Sequence, residues 1–260
     1  MSDVISSAGN PLLKAVRKLA QSKVEERFIV EGERVVAELF TTDLLVEKLF
    51  FVEKYAHIAD KWQKRGTQVF ELTPAAFASI SETKNAQGVL AIAVRKTFAL
   101  EVLLQNKDIS FFVLGDHVQD PGNLGTIIRT AAAAGFGGLL LTVGSVDAYN
   151  PKVVRATMGG CFKLPIVEKL QIKRLKPIFQ QYGYQLVLAD VRAESIYTEI
   201  DLRKRTVLWI GNENTGPDKE CLDLADVLVK IPQPGAVESL NVSVAASLIM
   251  YEALRQRGWS

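Results

Sequence analysis

Three groups of polar residues carry the side chains from which chemistry could be built. They are Asn123 with Arg129, Glu213 within Gly211-Asn212-Glu213-Asn214-Thr215-Gly216, and Ser239 with Asn241 on either side of Leu240. Arg129 adjoins the run Thr130-Ala131-Ala132-Ala133-Ala134, so one guanidinium concentrates charge on a close-packing helix, and its rigid fork of donors suits a phosphate. Glu213 offers a carboxylate between two asparagines, and an ordinary loop carboxylate is the plain alternative. Ser239 and Asn241 supply short hydrogen-bonding groups, with Gly235 to let backbone approach a ligand; one of the two can simply cap the helix that follows. Pro121-Gly122 reads as a turn and Asn123 as a cap for a helix from Leu124 to Ala134. Lys152 and Arg155 stand at the start of another helix, as a phosphate contact or a solvated face. Lys14, Arg17 and Lys18 form a basic face on the first helix, for which a solvated surface is the ordinary reading.

Several familiar chemistries are excluded. Gly211 to Gly216 has the glycine spacing of a phosphate loop, but Pro217-Asp218 replaces the Lys-Ser/Thr that such a loop needs. Gly135-Phe136-Gly137 lacks the third glycine of the dinucleotide fingerprint. Cys161 and Cys221 lie sixty positions apart, and His57 and His117 add no ligand pattern, so neither a disulfide framework nor a metal site is indicated. The balance of 31 basic and 29 acidic residues, net +2, neither requires nor forbids a polyanionic partner. No signal peptide or membrane-length apolar run is present, which places the chain in the cytoplasm with no membrane partner.

These residues need elements to hold them. The apolar run Val207 to Ile210 precedes the first loop and Val227 to Ile231 the second, so each loop leaves the end of a short buried strand, where ligands sit in open α/β sheets. Before residue 95 strand and helix signals alternate as a small α/β unit. From Ile109 the alternation restarts with strands at Phe111 to Leu114, Leu139 to Val143 and Leu186 to Ala189. Purely apolar strands separated by helices predict a mostly parallel sheet covered on both faces. The boundary is expected near residue 105, giving an α/β protein with domains 1–105, linker included, and 106–260.

In order along the chain, Asn123 with Arg129, Gly211-Asn212-Glu213 with Gly216, and Ile231-Pro232 followed by Ser239-Leu240-Asn241-Val242-Ser243 resemble the three motifs of the SpoU/TrmH family of RNA ribose methyltransferases, in the SPOUT superfamily. The segment from Asn10-Pro11 through Phe28-Ile29-Val30-Glu31-Gly32 to Gln87-Gly88-Val89 is similar to the substrate-binding domain that many members carry. Gln233-Pro234 and Pro217 stand where members often have other, commonly apolar, residues. The resemblance implies S-adenosylmethionine held bent in a deep trefoil knot, with main-chain contacts from Gly211, Ile231 and Leu240, and a homodimer paired through the methyltransferase domains. It implies 2′-O-methylation of a ribose in structured RNA, with large-subunit (23S) ribosomal RNA as first choice and tRNA as runner-up. Arg129 then holds a phosphate and stabilises the developing alkoxide, because guanidinium stays protonated. Asn123, Glu213, Ser239 and Asn241 orient it or the ribose, and Lys14, Arg17, Lys18, Lys152 and Arg155 meet RNA. From another class, a non-catalytic RNA-binding module on the same fold is the competing expectation.

Overall fold

Apolar residues at strand and helix spacing close around two separate cores. The computed structural model describes residues 4–21, 26–211, 216–217, 219–235 and 239–259. Its contacts separate Met1–Lys96 with Tyr149–Phe162 from Thr97–Ala148 with Lys163–Ser260.

The first unit runs α1 (Pro11–Gln21), β1 (Arg27–Glu31), α2 (Glu33–Leu39), β2 (Val46–Phe51), α3 (Ala56–Gln63), β3 (Gln68–Glu71), α4 (Pro74–Ala78) and β4 (Val89–Val94). Its strands lie in the order β1-β4-β2-β3, with β4 antiparallel to both neighbours and β3 parallel to β2. The middle strand β4 reads Val-Leu-Ala-Ile-Ala-Val and is buried from Val89 to Ala93, since helices or neighbouring strands cover it on every side. Leu13 and Val16 of α1 pack with Ile29, Phe50, Phe77 and Leu90. Arg17 is spent on holding α1 in place: it donates to Ser79 Oγ at 3.1 Å and to the Ala8 carbonyl at 2.8 Å, whereas Lys14 and Lys18 are exposed. Gly32 has φ 109° and ψ 142°, a conformation that only glycine adopts freely, and a Cβ there would meet the Gln87 side chain.

The second unit comprises α5 (Leu100–Gln105), β5 (Phe111–Gly115), α6 (Pro121–Ala133) and β6 (Gly138–Thr142). The helix α7 (Pro151–Thr157) intervenes, and the unit resumes with β7 (Ile166–Leu170), α8 (Leu175–Gln181), β8 (Gln185–Ala189), β9 (Ser195–Ile196), β10 (Thr206–Ile210), α9 (Lys219–Leu224), β11 (Val227–Lys230) and α10 (Val242–Gln256). Among the described residues seven strands form one sheet in the order β7-β6-β5-β10-β8-β11-β9, and every pairing is parallel. Strands β5, β6 and β10 are buried along their whole length, which is why their sequences are apolar without alternation. Trp209, Phe112, Leu140 and Phe179 centre this core.

Two expectations need correcting. The units part at Lys96/Thr97 and not near residue 105, because Leu100, Leu103 and Leu104 recur at helical spacing and bury α5 in the second core. Residues 149–162 return to the first unit, where Phe28 packs against Tyr149 at 4.8 Å and Phe162 at 5.9 Å between ring centroids. The start of α6 also moves: Asp120, not Asn123, is its N-cap, accepting from the Asn123 amide at 2.8 Å, with Pro121 in the first turn. Asp-Pro is the favoured cap and first-turn pair, so Asn123 lies within the helix.

The far end of α10 is tied down by Arg257. Its guanidinium donates to the carbonyls of Leu202 at 2.6 Å and Lys204 at 2.8 Å and to Ser110 Oγ at 2.8 Å, and lies 4.9 Å from the Phe111 ring centroid. Arg257→Met strips these acceptors of a charged donor. Urea unfolding is expected to show a loss of about 2–4 kcal/mol with an unchanged m-value.

Candidate active site

Helix α10 begins at a cap that does two jobs. Asn241 Oδ1 accepts from the amides of Ser243 at 2.9 Å and Val244 at 3.3 Å, and from Ser243 Oγ at 2.6 Å. The other end of the same amide, Nδ2, donates to Asn123 Oδ1 at 2.8 Å, across 118 positions of sequence. Ser243 Oγ lies 3.4 Å from that oxygen too, and further along the pair the Thr130 and Ser247 hydroxyls are 3.1 Å apart. Capping and site-building are therefore not alternatives for Asn241, since its two polar atoms divide them. Ser243, buried and central to the junction, was not foreseen as a site residue, although its place two residues after an asparagine is the spacing of a capped first turn.

Beside this junction a cleft of about 660 Å³ opens at the carboxyl ends of β8, β10 and β11. Gly211, Ile231, Ser239, Leu240 and Asn241 line it, and Gln233 does as well. The first two follow directly on β10 and β11, so the parallel sheet delivers the two motif loops to one edge.

Asp190 and Arg192, on the loop after β8, also line the cleft. The Asp190 side chain is 2% exposed and accepts from Arg192 Nε at 2.9 Å, Arg192 Nη2 at 2.6 Å and the Arg192 amide at 2.7 Å. The guanidinium also donates to the Pro217 carbonyl at 3.1 Å, linking the loop after β8 to the loop after β10. The Arg192 side chain beside it holds the Asp190 carboxyl below the usual carboxylate range. A depressed carboxyl pKa contributes stability above its unfolded value, which is lost as pH falls through the folded value. The stability gap between wild type and Asp190→Asn is thus expected in full near pH 7, and should close below about pH 4, as followed by thermal unfolding across pH. The sequence held a usable signal here: an aspartate directly after an apolar strand, at the edge where ligands bind.

The remaining expected residues are placed as follows. Arg129 is exposed on α6 and does not line the cleft; among the described residues it has no hydrogen-bond or ion-pair partner. Six helical residues separate it from Asn123, about 9 Å along the axis and about 120° around it, so the two side chains leave α6 in different directions. Within one chain Arg129 thus stands on a different face of α6 from the Asn123–Asn241 pair. Glu213 falls outside the described residues. Lys152 is exposed and Arg155 half-buried on α7, in the first unit, where both oppose the effect of burial that raises the Glu82 carboxyl.

Asp116 and His117 follow directly on β5. Buried Asp116 accepts from Thr142 Oγ1 at 2.6 Å and lies 2.8 Å from His117 Nδ1, holding His117 at φ 53°. Among the described residues no group of three His, Cys, Asp or Glu could hold a metal ion, and no helix is long and apolar enough to cross a membrane. Burial pushes the Cys161 thiol up to about 12, which leaves it inert.

Residues 110–251 match the model of the SpoU rRNA Methylase family. The chain belongs to that family. This SpoU methylase also matches, over residues 10–91, the MRM3-like substrate binding domain. It is 32% identical over 250 residues to the 23S rRNA (guanosine(2553)-2'-O)-methyltransferase RlmP of Bacillus subtilis, covering 95% of this chain and 97% of the relative. Among solved structures, the AdoMet-bound rRNA methyltransferase from Sinorhizobium meliloti superposes with a TM-score of 0.85 at 32% identity, over 97% of each chain. The SpoU methyltransferase AviRb from Streptomyces viridochromogenes, in complex with AdoMet, gives 0.84 at 27% identity, over 96% of this chain and 100% of that one. The SpoU methylase thus has the expected α/β architecture, an N-terminal substrate-binding domain ahead of a SpoU domain built on a parallel sheet.

Proposed function

We propose that this SpoU methylase transfers a methyl group from S-adenosylmethionine to a ribose 2′-hydroxyl of structured RNA, with large-subunit ribosomal RNA as the substrate. The observation that carries the reading is the Asn123–Asn241 junction beside a cleft that Gly211, Ile231 and Leu240 line. The likeness to RlmP and to the AdoMet-bound structures supports it.

The cleft fits the cofactor on its own terms. At about 660 Å³ it falls in the range of ligand pockets, and its lining sets apolar Ile210, Val229 and Leu240 beside polar Ser239 and Asn241, the mix that a ligand with apolar and polar parts requires. On this reading Gly211, Ile231 and Leu240 give it main-chain contacts, and the loops that carry them form a deep trefoil knot around it. Bound there, S-adenosylmethionine supplies the sulfonium methyl group.

The protein's task is to make a poor nucleophile react. A ribose hydroxyl must lose its proton while aligned, and an Arg129 fork on the neighbouring phosphate stabilises the alkoxide as it forms. Asn123 and Asn241, each already fixed by the other, present a rigid polar wall to the ribose, with Ser239 and Glu213 completing the set. Lys14, Lys18, Lys152 and Arg155 meet RNA phosphates from the substrate-binding part.

A second copy of the chain belongs to this proposal. Val244, Leu248 and Tyr251 are 47, 41 and 45% exposed and recur at i, i+4 and i+7, an apolar stripe on one face of α10. Helix α6, which carries exposed Arg129, packs on the same helix. Pairing two copies through these helices covers the stripe and takes Arg129 into the shared region, where a single chain leaves it outside the cleft. A two-fold pairing of one face on itself is the commonest form of such an interface.

Mapping ribose methylation over total RNA, from cells with and without the protein, tests the reaction. The expected result is one 2′-O-methyl group missing from 23S RNA. A missing group in tRNA instead moves the substrate, and calorimetry with no S-adenosylmethionine binding reduces the protein to an RNA-binding scaffold.

A further inference from the structure

Glu31 ends β1 with its residue 9% exposed, yet its carboxylate serves nothing in the sheet. Among the described residues it accepts from Ser81 Oγ, from Thr83 Oγ1 at 3.0 Å and from the Glu82 amide at 3.2 Å, 50 to 52 positions on. Thr83 Oγ1 also lies 3.0 Å from the Asn85 carbonyl. The other end of this loop is held at the next residue of β1's exit. There the Gly32 amide donates to the Val89 carbonyl at 3.0 Å, and the lack of a Cβ lets the Gln87 carboxamide lie against Gly32.

Burying a carboxylate is costly, and here it stiffens a stretch with no core to protect, since Lys84, Asn85, Ala86 and Gln87 are all exposed. A rigid loop of exposed polar side chains is a binding surface whose ordering cost has already been met in folding. Its surroundings are basic. Helix α7 packs on β1, and while burial raises the Glu82 carboxyl, Arg155 and Lys152 oppose that effect, so both cations stand within electrostatic reach of the loop. Cations beside carboxamides suit RNA: phosphates take the cations, and an amide presents the donor and acceptor that match the edge of an unpaired base.

We propose that residues 81–87 are the RNA-reading loop of the first unit, with Lys84 on a backbone phosphate, Asn85 and Gln87 on the edge of an unpaired base, and Glu31 as the positioning residue behind them. This rests on the RNA reading above and adds the element that recognises the substrate.

Filter binding of the full chain to an unmodified 23S RNA transcript and to total tRNA, across a salt series, tests it. Lys84→Ala is expected to weaken binding about threefold or more and to lower the slope of log affinity against log salt by about 0.7–0.9, the share of one phosphate. Asn85→Ala should weaken it about fivefold or more with the slope unchanged. Glu31→Gln should weaken binding about as much as the Lys84→Ala/Asn85→Ala pair, and adding that pair to Glu31→Gln should cost less than it does in wild type. Additive losses would overturn the positioning role. Wild-type affinity in Lys84→Ala/Asn85→Ala, both at exposed positions, overturns the whole proposal, even if Glu31→Gln does not fold. A wild type that binds S-adenosylhomocysteine but neither RNA removes the RNA reading itself, a result distinct from binding that ignores the loop.

Discussion

Arg129→Ala lowers methyl transfer at saturating RNA and cofactor by about 10²–10³-fold, the usual cost of removing one donor aimed at developing negative charge. The expectation follows from how Arg129 is held. It is exposed, and among the described residues no carboxylate or carbonyl occupies its guanidinium, so its five donors are available to RNA. Thr130, the next residue, is engaged with Ser247, which fixes α6 against α10 without using the arginine. The substitution should leave S-adenosylhomocysteine affinity within about twofold by calorimetry, because Arg129 does not line the cleft. Arg129→Lys keeps the charge and loses the fork, and should recover less than about a tenth of wild-type turnover. Near-normal turnover in that variant would discard the bidentate role.

Leu248→Glu is the second large effect. Leu248 sits mid-stripe between Val244 and Tyr251, so on the proposed pairing it lies near the two-fold axis and meets its own copy. Two carboxylates desolvated against each other weaken association by about 4 kcal/mol, roughly a thousandfold. Sedimentation velocity at micromolar protein should show dimer for wild type and monomer for the variant, and methyl transfer should fall with the dimer. Val102, 66% exposed on α5, supplies the control, since Val102→Glu adds the same charge without changing assembly. If Leu248→Glu sediments as wild type does, the stripe is not the pairing surface.

The parallel sheet was legible because burial on both faces leaves no room for polar alternation. Phe111 to Leu114 and Val207 to Ile210 announce their strands by composition alone, whereas Val227 to Lys230, which ends on a lysine, is only partly buried. The cleft followed from that, since both motif loops start where such strands end. What stayed hidden was of three kinds. Strand β9 is two residues long and has no period to detect. The return of residues 149–162 to the first unit depends on Phe28 meeting Tyr149 and Phe162, a contact across more than a hundred positions that no local pattern encodes. The third kind was present but misjudged. Six residues at 100° each put Arg129 and Asn123 on different faces of α6, which the spacing alone already gives. Asp120-Pro121 was a better cap than Asn123, and an amide with two ends did not have to choose between capping α10 and meeting another helix.

The split composition of the first unit bears on how the protein is made. Its sheet is complete when Val94 is added, but the two rings that cover Phe28 arrive only with Tyr149 and Phe162. At about 5–20 residues per second, translation leaves that side of the nascent sheet bare for several seconds while the next strands are still being synthesised. The amino-terminal portion should therefore be a customer for chaperones on the ribosome, and a stretch of slowly read codons between Lys96 and Tyr149 should lower the yield of folded protein.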